Sequence, residues 1–160
     1  MAASLNGMIA KEDDDASWIL KGSWNSYSET IRKAGNIILG RRTYEIIAKN
    51  PEEIAGLKVV VVSQKNFETL SPNHLIAASP KAALELLKDF PEIIVAGGGG
   101  LNSAFLQENL VDEIFLDIEP IAFAPGIPLF KDGNFDRKLK LLGTKKISDD
   151  EIQLHYKVIK

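Results

Sequence analysis

Four consecutive glycines constrain the fold of this chain more than any other feature of its sequence. They occupy residues 97–100 and follow a short apolar run at residues 93–96, which predicts a buried strand. After them, residues 101–110 place apolar side chains on one side of a helix, and residues 114–118 form another strand-like run. A strand, a glycine turn, a helix and a second strand in this order are typical of an α/β fold.

The glycine run also indicates a binding function. Without Cβ atoms, the backbone N–H groups of such a turn can approach a phosphate closely. The start of the following helix adds unpaired N–H donors and the positive end of the helix dipole. The alternative interpretation is a tight connection that only needs flexible residues. The spacing differs from the G-x-G-x-x-G fingerprint with an acidic residue about 20 positions on, so an ordinary Rossmann NAD site is not implied.

Apolar periodicity and turn residues predict strands and helices along the whole chain. The predicted strands cover residues 2–5, 8–10, 36–39, 58–63, 75–78, 93–96, 114–118, 138–147 and 152–159. The predicted helices cover residues 23–34, 41–49, 80–90 and 101–110. Four consecutive valines, residues 59–62, indicate a strand that is buried on both faces. Ser23 and Ser79 are predicted N-caps, the second followed by Pro80, and Gly35 is predicted to end the first helix.

This order of elements predicts a three-layer α/β fold in a single domain, residues 1–160. The central sheet should be mostly parallel, with helices on both faces and an antiparallel hairpin at the C-terminus. A chain of 160 residues is long enough to bury a proper core. The acidic residues 12–15 predict a solvated loop, and residues 121–136 predict a longer loop.

Composition excludes several classes of function. A net charge of −3 gives no general attraction to nucleic acid or membranes. The absence of cysteine excludes disulfides and Cys-based metal or redox chemistry. The two histidines, His74 and His155, are far apart in sequence, so no metal site is expected, and His155 should lie on the surface. No apolar stretch approaches about 18 residues and no signal peptide is visible, so we expect a cytoplasmic protein.

Four stretches, in this order, resemble the dihydrofolate reductase superfamily, which includes the reductase domain of riboflavin biosynthesis. They are Ala-Ser-Leu-Asn-Gly-Met-Ile-Ala at residues 3–10, Gly-Arg-Arg-Thr-Tyr-Glu at residues 40–45, Val-Val-Val-Val-Ser at residues 59–63, and the glycine run with its helix. The resemblance extends over almost the whole chain, including the terminal hairpin. The second stretch looks much more like the folate enzymes than the riboflavin reductases.

The resemblance implies NADPH as the cofactor and reduction of a small pteridine or pyrimidine. In this family the first stretch borders the active-site loop, and the next two hold the 2′-phosphate of NADPH. The glycine turn meets the pyrophosphate, often with a cis Gly–Gly bond. The implied cofactor-binding residues are Ala3, Ile9, Gly40, Arg41, Arg42, Thr43, Ser63, Gln64, Gly97, Gly98, Gly99, Gly100 and Leu101. The implied substrate-binding residues are Ala3, Trp24, Tyr27, Ile47 and Asp117.

Physical chemistry agrees with a phosphate site at two of these stretches. A 2′-phosphate is well matched by a guanidinium fork together with hydroxyl or backbone donors. Arg41 and Arg42 come directly after a predicted strand, at the start of a helix, with Thr43 beside them, and Ser63 ends the valine strand. The alternatives are solvent-exposed charge for the arginine pair and a turn or cap for Ser63.

Two departures concern the substrate side of the folate enzymes. Those enzymes place a carboxylate on the first helix, against the pterin ring. Here that helix offers only Glu29, and the matching position falls near Trp24 or Asn25. The arginine that holds the glutamate tail of folate is replaced by Leu57, with Lys58 next to it.

The first strand and its turn depart from the family as well. Asn6 stands where riboflavin-type and related members often carry aspartate. The strand itself looks short, as if its start lay a few residues upstream.

Asp117 is the candidate catalytic residue, replacing the missing acid. It shares one face of its predicted strand with Phe115 and Glu119 and lies near the C-terminal end, where α/β sheets bind ligands. An ionised carboxylate within such a strand is costly unless it has a partner or a task. In the folate family the matching position resembles a threonine that touches both the pterin and the usual acid. The alternative is that Asp117 pairs with a lysine or caps a loop near Pro120, while Glu119 is expected at the rim.

The aromatic residues allow two interpretations. Trp18, Trp24 and Tyr27 could line the pocket of a flat heterocycle, or they could belong to the core. Tyr44 and Phe105 are predicted to be core residues.

The resemblance leaves three functional hypotheses. The first is dihydrofolate reductase, and the second is the 5-amino-6-(5-phosphoribosylamino)uracil reductase of riboflavin biosynthesis. The third is a non-catalytic NADP-binding module that kept the fold and lost the acid. The resemblance implies either a monomer, as in the folate-type members, or a homodimer, as in the riboflavin-type members.

Overall fold

The computed structural model describes all of residues 1–160 and has the α/β architecture expected from the sequence. Its strands are β1 (Ala2–Ser4), β2 (Met8–Ala10), β3 (Asn36–Gly40), β4 (Lys58–Val62), β5 (His74–Ala77), β6 (Glu113–Glu119), β7 (Ile127–Pro128), β8 (Leu139–Lys146) and β9 (Ile152–Val158). Its helices are α1 (Lys21–Ala34), α2 (Arg41–Ile47), α3 (Pro80–Glu85) and α4 (Gly99–Gln107), with a short 3₁₀ turn at Pro51–Glu53.

The strands form two main sheets and one small one. The first sheet has the order β3-β4-β5 and is entirely parallel. The second has the order β1-β6-β9-β8, in which β1 is parallel to β6 and the other pairs are antiparallel. Its β8–β9 pair is the C-terminal hairpin predicted from the sequence. Strands β2 and β7 form a separate antiparallel pair.

The apolar run before the glycines, predicted as a buried strand, pairs with a neighbouring strand along one edge only. The Ile38 N–H donates to the Ile94 carbonyl at 2.7 Å, and the Ala96 N–H donates to the Ile38 carbonyl at 2.9 Å, so the run lies parallel to β3. Its other edge pairs with no strand. The side chains of residues 93–96 are therefore only partly buried.

Two apolar clusters cover the two faces of the first sheet, as a three-layer fold requires. Val60 points into one cluster, while Val59 and Val61 point into the other, and all three are fully buried. Helices α1 and α2 cover the face of Val59 and Val61, through Ile31 and Tyr44. Helices α3 and α4 cover the opposite face. The prediction of a valine strand buried on both faces is confirmed, as is the core placement of Tyr44 and Phe105.

Helix ends agree with the sequence where a cap is strong and differ elsewhere. Gly35 ends α1 with a left-handed φ of 71°, and the Ser79 hydroxyl accepts the Ala82 N–H at the start of α3. The prediction of Ser23 as a cap is wrong, because α1 begins at Lys21 and Ser23 lies in its first turn. Helix α3 ends at Glu85 rather than near residue 90. Beyond Glu85 the backbone N–H groups of residues 87, 88 and 90 donate to carbonyls three residues earlier, as in turns rather than in an α-helix.

None of these helices combines the length and apolar character needed to cross a membrane.

Candidate active site

A cleft of about 1320 Å³ lies between the sheet that contains β3 and the sheet that contains β6. One wall is the inner face of α1, another is β6, and the starts of α2 and α4 close one end. Sites for a single small molecule usually enclose roughly 300–1,000 Å³. The cleft therefore has room for two ligands, such as a cofactor and a substrate.

The glycine turn forms one end of the cleft. The Gly97–Gly98 peptide bond is cis, and Gly97 has a left-handed φ of 89°. The Gly40 N–H donates to the Gly97 carbonyl at 2.8 Å, so this turn lies directly against the start of α2. Gly98 is the N-cap of α4 and provides no side-chain cap. The first backbone N–H groups of α4 therefore remain available to an anion.

The space around each glycine shows which of them serves packing and which leaves room for a ligand. A Cβ on Gly99 would collide with the Pro128 carbonyl, and one on Gly98 would lie 3.2 Å from the Thr43 hydroxyl. A Cβ on Gly100 would meet nothing within 4 Å. Gly100 thus lies beside open space at the start of a helix, an arrangement that fits the pyrophosphate of a dinucleotide.

Both arginines at the start of α2 are held in ion pairs. Arg41 Nη1 lies 2.8 Å from Glu45 Oε1, and Arg42 Nη2 lies 2.8 Å from Asp14 Oδ2. The Arg41 and Arg42 side chains are 45% and 62% exposed. Exposed pairs of this kind contribute only about 0–1 kcal/mol, so a dianionic phosphate can displace the carboxylates. The site fits a 2′-phosphate, with both guanidinium groups available.

Asp117 lies on the opposite wall, in the middle of the cleft. It is 1% exposed, and its Oδ1 accepts a hydrogen bond of 2.7 Å from Gln153 Nε2. No lysine or arginine side chain pairs with it, and its second oxygen accepts no bond from the protein. Neither alternative from the sequence, pairing with a lysine or capping a loop near Pro120, describes this contact. A buried carboxylate with an unused oxygen is a group that a ligand can complete.

The aromatic side chains of α1 line the cleft beside Asp117. Trp24 and Tyr27 pack against each other with ring centroids 5.6 Å apart. Burial, reinforced by the charge of Glu53, raises the pKa of the Tyr27 phenol, which stays protonated and can donate a hydrogen bond. Trp18 does not line the cleft. Its ring packs edge-to-face with that of Phe123, with the ring centroids 5.1 Å apart.

Glu119 does not lie at the rim, so that prediction is wrong. It is 0% exposed, and its Oε2 accepts the Leu20 N–H at 3.1 Å. Its Oε1 has no partner. The reason is that β1 pairs alongside β6, with Ser4 opposite Glu119, while the start of α1 lies against the carboxylate.

Asn6 is used as an amide and not as a substitute for aspartate. Its Oδ1 accepts the Ser4 hydroxyl at 2.8 Å, and its Nδ2 donates to the Phe123 carbonyl at 3.0 Å. A carboxylate could not make the second bond, because it has no N–H. The departure from the family pattern therefore fixes the turn after β1 to the loop near Phe123.

The cleft collects most of the residues that the sequence indicated, but not all. Ala3 is fully buried outside it, and Ala2 lines it instead, because alternate residues of a strand face opposite sides. Ser63 and Gln64 also lie outside it, with the Ser63 hydroxyl bonded to the Lys65 carbonyl as a turn residue would be. Gly97 shapes the turn without lining the cleft. The residues that do line it are Ile9, Trp24, Tyr27, Gly40, Arg41, Arg42, Thr43, Ile47, Gly98, Gly99, Gly100, Leu101 and Asp117.

Several polar residues of the cleft are not indicated by the sequence. Ser23, Ser26 and Gln153 line the wall around Asp117. The register of the hairpin with β6 places Gln153 directly opposite Asp117, and correct pairing of those strands would have revealed it. Ser23 lines the cleft rather than capping α1, because the helix begins two residues before it. No group of three or more His, Cys, Asp or Glu side chains converges in a way that could hold a metal ion.

Comparison with known proteins agrees with this architecture. Residues 1–152 match the model of the RibD C-terminal domain. The chain belongs to the RibD C-terminal domain family. This family is part of the dihydrofolate reductase-like superfamily, so the resemblance noted in the sequence is confirmed.

Curated relatives of this RibD C-terminal domain protein include an uncharacterized protein and a dihydrofolate reductase. It is 34% identical over 164 residues to the uncharacterized protein YwjB of Bacillus subtilis, covering 98% of this chain and 94% of the relative. It is 29% identical over 136 residues to the dihydrofolate reductase type 1 of Escherichia coli, covering 80% of each chain.

Solved structures share the fold of this RibD C-terminal domain protein at low sequence identity. A candidate riboflavin biosynthesis protein from Shewanella sp. PV-4 superimposes with a TM-score of 0.81 at 21% identity, covering 100% of this chain and 97% of the other. The Thermotoga maritima diaminohydroxyphosphoribosylaminopyrimidine deaminase/5-amino-6-(5-phosphoribosylamino)uracil reductase gives a TM-score of 0.74 at 18% identity. That match covers 99% of this chain and 55% of the longer Thermotoga protein.

Proposed function

We propose that this protein is an NADPH-dependent reductase that adds a hydride and a proton across a C=N bond of a pyrimidine or pteridine substrate. One observation carries the proposal. A single cleft combines a glycine turn fitted to phosphate with a buried carboxylate, Asp117, that pairs with no lysine or arginine side chain. The two features lie on different walls, as a cofactor and a substrate bound side by side require.

The residues at the α4 end would hold the cofactor. Backbone N–H groups at the start of α4 would bind the pyrophosphate, and Arg41 and Arg42 would exchange their carboxylate partners for the 2′-phosphate. NADPH, when bound, would supply the hydride. The protein's part is to orient two rings against each other and to exclude water from between them.

Asp117 would anchor the substrate ring and assist protonation at the C=N bond that accepts the hydride. Its Oδ1 is fixed by Gln153, which orients the carboxylate and leaves the other oxygen for an N–H group of the substrate. A carboxyl group within hydrogen-bond reach of the ring can also relay the proton that must accompany the hydride.

The favoured substrate is 5-amino-6-(5-phosphoribosylamino)uracil, in which the C=N bond to be reduced is the imine that forms between the ring's amino group and the opened ribose. Two findings support it: the match to the RibD C-terminal domain, and a wall of α1 that presents serines and no carboxylate to the cleft. Dihydrofolate is the second candidate, because the chain shares 29% identity with a dihydrofolate reductase over most of its length. The two substrates share an oxo-substituted ring with adjacent N–H groups, which suits Asp117.

The deciding experiment is an NADPH-oxidation assay with each substrate in turn, run beside direct measurement of NADPH and NADH binding. Turnover of the uracil substrate, with NADPH bound more tightly than NADH, is the expected result. Turnover of dihydrofolate alone would replace the favoured substrate by the second. Tight NADPH binding with no turnover of either substrate would overturn the proposal in favour of a non-catalytic binding module.

A further inference from the structure

The loop between β2 and α1, residues 11–20, runs along the cleft from its phosphate end to α1. Four of its residues line the cleft: Asp14, Ala16, Ser17 and Ile19. At the start of the loop, β2 lies beside the glycine turn, where a Cβ on Gly98 would come within 3.9 Å of Ile9 Cδ1. At its end, the Leu20 N–H donates to Glu119 Oε2 at 3.1 Å. A change at one end of this loop can therefore reach the other end of the cleft.

The loop is held in shape by bonds among its own residues. The Lys11 N–H donates to the Asp15 carbonyl at 2.9 Å, and Lys11 Nζ lies 2.8 Å from Asp15 Oδ2. Asp15 Oδ1 accepts the Ser17 N–H at 2.9 Å, and Trp18 Nε1 donates to the Asp15 carbonyl at 3.1 Å. Because these bonds close within the loop, they do not fix its position relative to α2.

Asp14 provides the contact that does. It is the one side chain of residues 11–20 that hydrogen-bonds outside the loop, and its Oδ2 accepts from both Nε and Nη2 of Arg42, at 2.9 Å and 2.8 Å. Asp14 also has a left-handed φ of 69°, which is uncommon for a residue with a side chain. Such a conformation persists where surrounding contacts hold it. The tip of the loop is thus held to the start of α2 by Arg42.

The proposed cofactor site uses the same guanidinium group. A phosphate that binds Arg42 through Nε and Nη2 takes the two donors that Asp14 now occupies. Arg41 differs in this respect, because its partner Glu45 lies one turn further along the same helix. Exchange of the partner at Arg41 leaves every other element in place, whereas exchange at Arg42 detaches a loop that lines the cleft.

We propose that Asp14 competes with the cofactor phosphate for Arg42, so that binding of the cofactor releases the loop at residues 11–20 from α2. In the free protein the loop is held by Asp14. In the complex the phosphate holds Arg42, and the carboxylate moves away from the second negative charge. The ligand class is a nucleotide with a phosphate monoester on its ribose, which NADPH has and NADH lacks. The inference rests on the proposed function, since it concerns the cofactor site named there.

Two matched variants of the loop test the competition. Asp14→Asn removes the charge but keeps the size, and asparagine tolerates a left-handed φ as aspartate does. Asp13→Asn is the control, because Asp13 is an exposed neighbour whose Oδ1 accepts only the Asp15 N–H, a bond that an amide oxygen can keep. For each protein we would measure the Kd of NADPH, NADH and adenosine 2′,5′-bisphosphate, together with NADPH oxidation.

The position of the loop can be measured with a pair of spin labels. The chain has no cysteine, so cysteines introduced at the exposed positions Glu12 and Lys49 carry the only labels. Their distance distribution, recorded with and without adenosine 2′,5′-bisphosphate, reports whether the loop stays against α2. The bisphosphate carries the ribose phosphate without the nicotinamide, so this measurement does not depend on turnover.

We expect the bisphosphate to broaden the distance distribution of the wild type, and Asp14→Asn to be broad without any ligand. Asp14→Asn should also bind NADPH about two- to fivefold more tightly, the scale of an exposed ion pair that no longer competes. NADH binding should not change, and Asp13→Asn should match the wild type. An unchanged NADPH Kd in Asp14→Asn, or a distribution that the bound bisphosphate leaves narrow, would overturn the inference while NADPH-dependent turnover still supports the proposed function. Release of the loop by the bisphosphate without turnover of either substrate would do the reverse. A wild-type protein that binds neither NADPH nor the bisphosphate would overturn both.

Discussion

Glu151 and Ser23 are separated by 128 residues in the sequence, yet Glu151 Oε1 accepts the Ser23 backbone N–H at 2.7 Å. Helix α1 has no side-chain cap of its own and no acidic residue in its first turn. Two buried carboxylates from the second sheet replace them, Glu151 at Ser23 and Glu119 at Leu20. Negative charge at a helix start is stabilising. The wall that carries Ser23 is thus fixed to the sheet that carries Asp117.

This arrangement makes stability depend on pH through Glu151. Burial alone would raise the pKa of Glu151, but hydrogen bonds from the Ser148 side chain and from the backbone N–H and side chain of Ser23 outweigh it, so the pKa lies below its ordinary value of 4.5. A lowered pKa stabilises the folded state fully above the unfolded value, and this contribution is lost as the pH falls through the folded value. We expect Glu151→Gln to lower the free energy of unfolding by about 1 kcal/mol at pH 7, because the amide keeps one acceptor.

Urea unfolding of both proteins between pH 3 and pH 7 measures the effect. The difference between wild type and variant should shrink as the pH falls below 4.5. Asp150→Asn, an exposed carboxylate in the same turn, is the control and should leave the curve unchanged. A constant difference across the whole range would contradict the assignment.

The choice between NADPH and NADH should depend on Arg41. Arg41→Ala should cost about 1.5–3 kcal/mol in NADPH binding, the range for hydrogen bonds to charged groups, and should barely change NADH binding. Equilibrium titration of both cofactors measures this. Glu45→Gln is the control, because it frees the guanidinium without removing it and should leave NADPH binding equal or tighter. Equal losses for both cofactors in Arg41→Ala would rule out a 2′-phosphate contact.

The pyrophosphate cradle can be tested at Gly100. Because a Cβ there meets no protein atom within 4 Å, Gly100→Ala should fold normally and stabilise α4 by about 0.5–1 kcal/mol. The same methyl group would block close approach of a pyrophosphate, so both cofactors should bind at least tenfold more weakly. Gly143→Ala on β8, where a Cβ is equally free, is the control for the substitution itself. Unchanged cofactor binding in a folded Gly100→Ala protein would place the cradle elsewhere.

Asp117→Asn should separate chemistry from cofactor binding. The amide keeps an oxygen for Gln153, so the fold and the NADPH affinity should stay within about twofold of wild type. Hydride transfer should slow by ~10²-fold or more, as expected for the loss of a general acid. Single-turnover rates against pH give the measurement.

Glu119→Gln provides the comparison for Asp117→Asn. Glu119 is a buried carboxylate on the same face of β6, but it lies outside the cleft. Its substitution should reduce stability more than rate. Rates near wild type in Asp117→Asn would mean that another group, or water, supplies the proton.

The sequence predicts a helix end correctly where a single residue at that end determines it. Gly35 ends α1 because a left-handed φ of 71° suits glycine, and Ser79 caps α3 through its own hydroxyl. The burial of β4 followed from its residues alone, since a continuous run of valines is typical of a strand that is buried on both faces.

The remainder depends on contacts between distant parts of the chain. Glu119 looked like a rim residue because nothing in its neighbourhood shows that β1 and the start of α1 cover it. The start of α1 was misplaced because its cap comes from Glu151, 128 residues away. The cleft itself lies where residues 93–96 pair only with β3 and β1 pairs only with β6. Sequence periodicity describes the faces of a strand but not its neighbours.

Because the edge at residues 93–96 is unpaired, the lifetime of the folded protein should depend on whether a ligand occupies the cleft. Across the cleft from that edge lies β1, and the two are not hydrogen-bonded to each other. A ligand that fills the cleft contacts residues 93–96 on one side and β1 on the other, and it therefore stabilises their relative position. At a ligand concentration of 100 times Kd, mass action adds about 2.7 kcal/mol to the stability of the folded state. Amide exchange and proteolysis across this seam should therefore slow as the ligand concentration rises, and we expect the protein to persist longer in the cell when that ligand is plentiful.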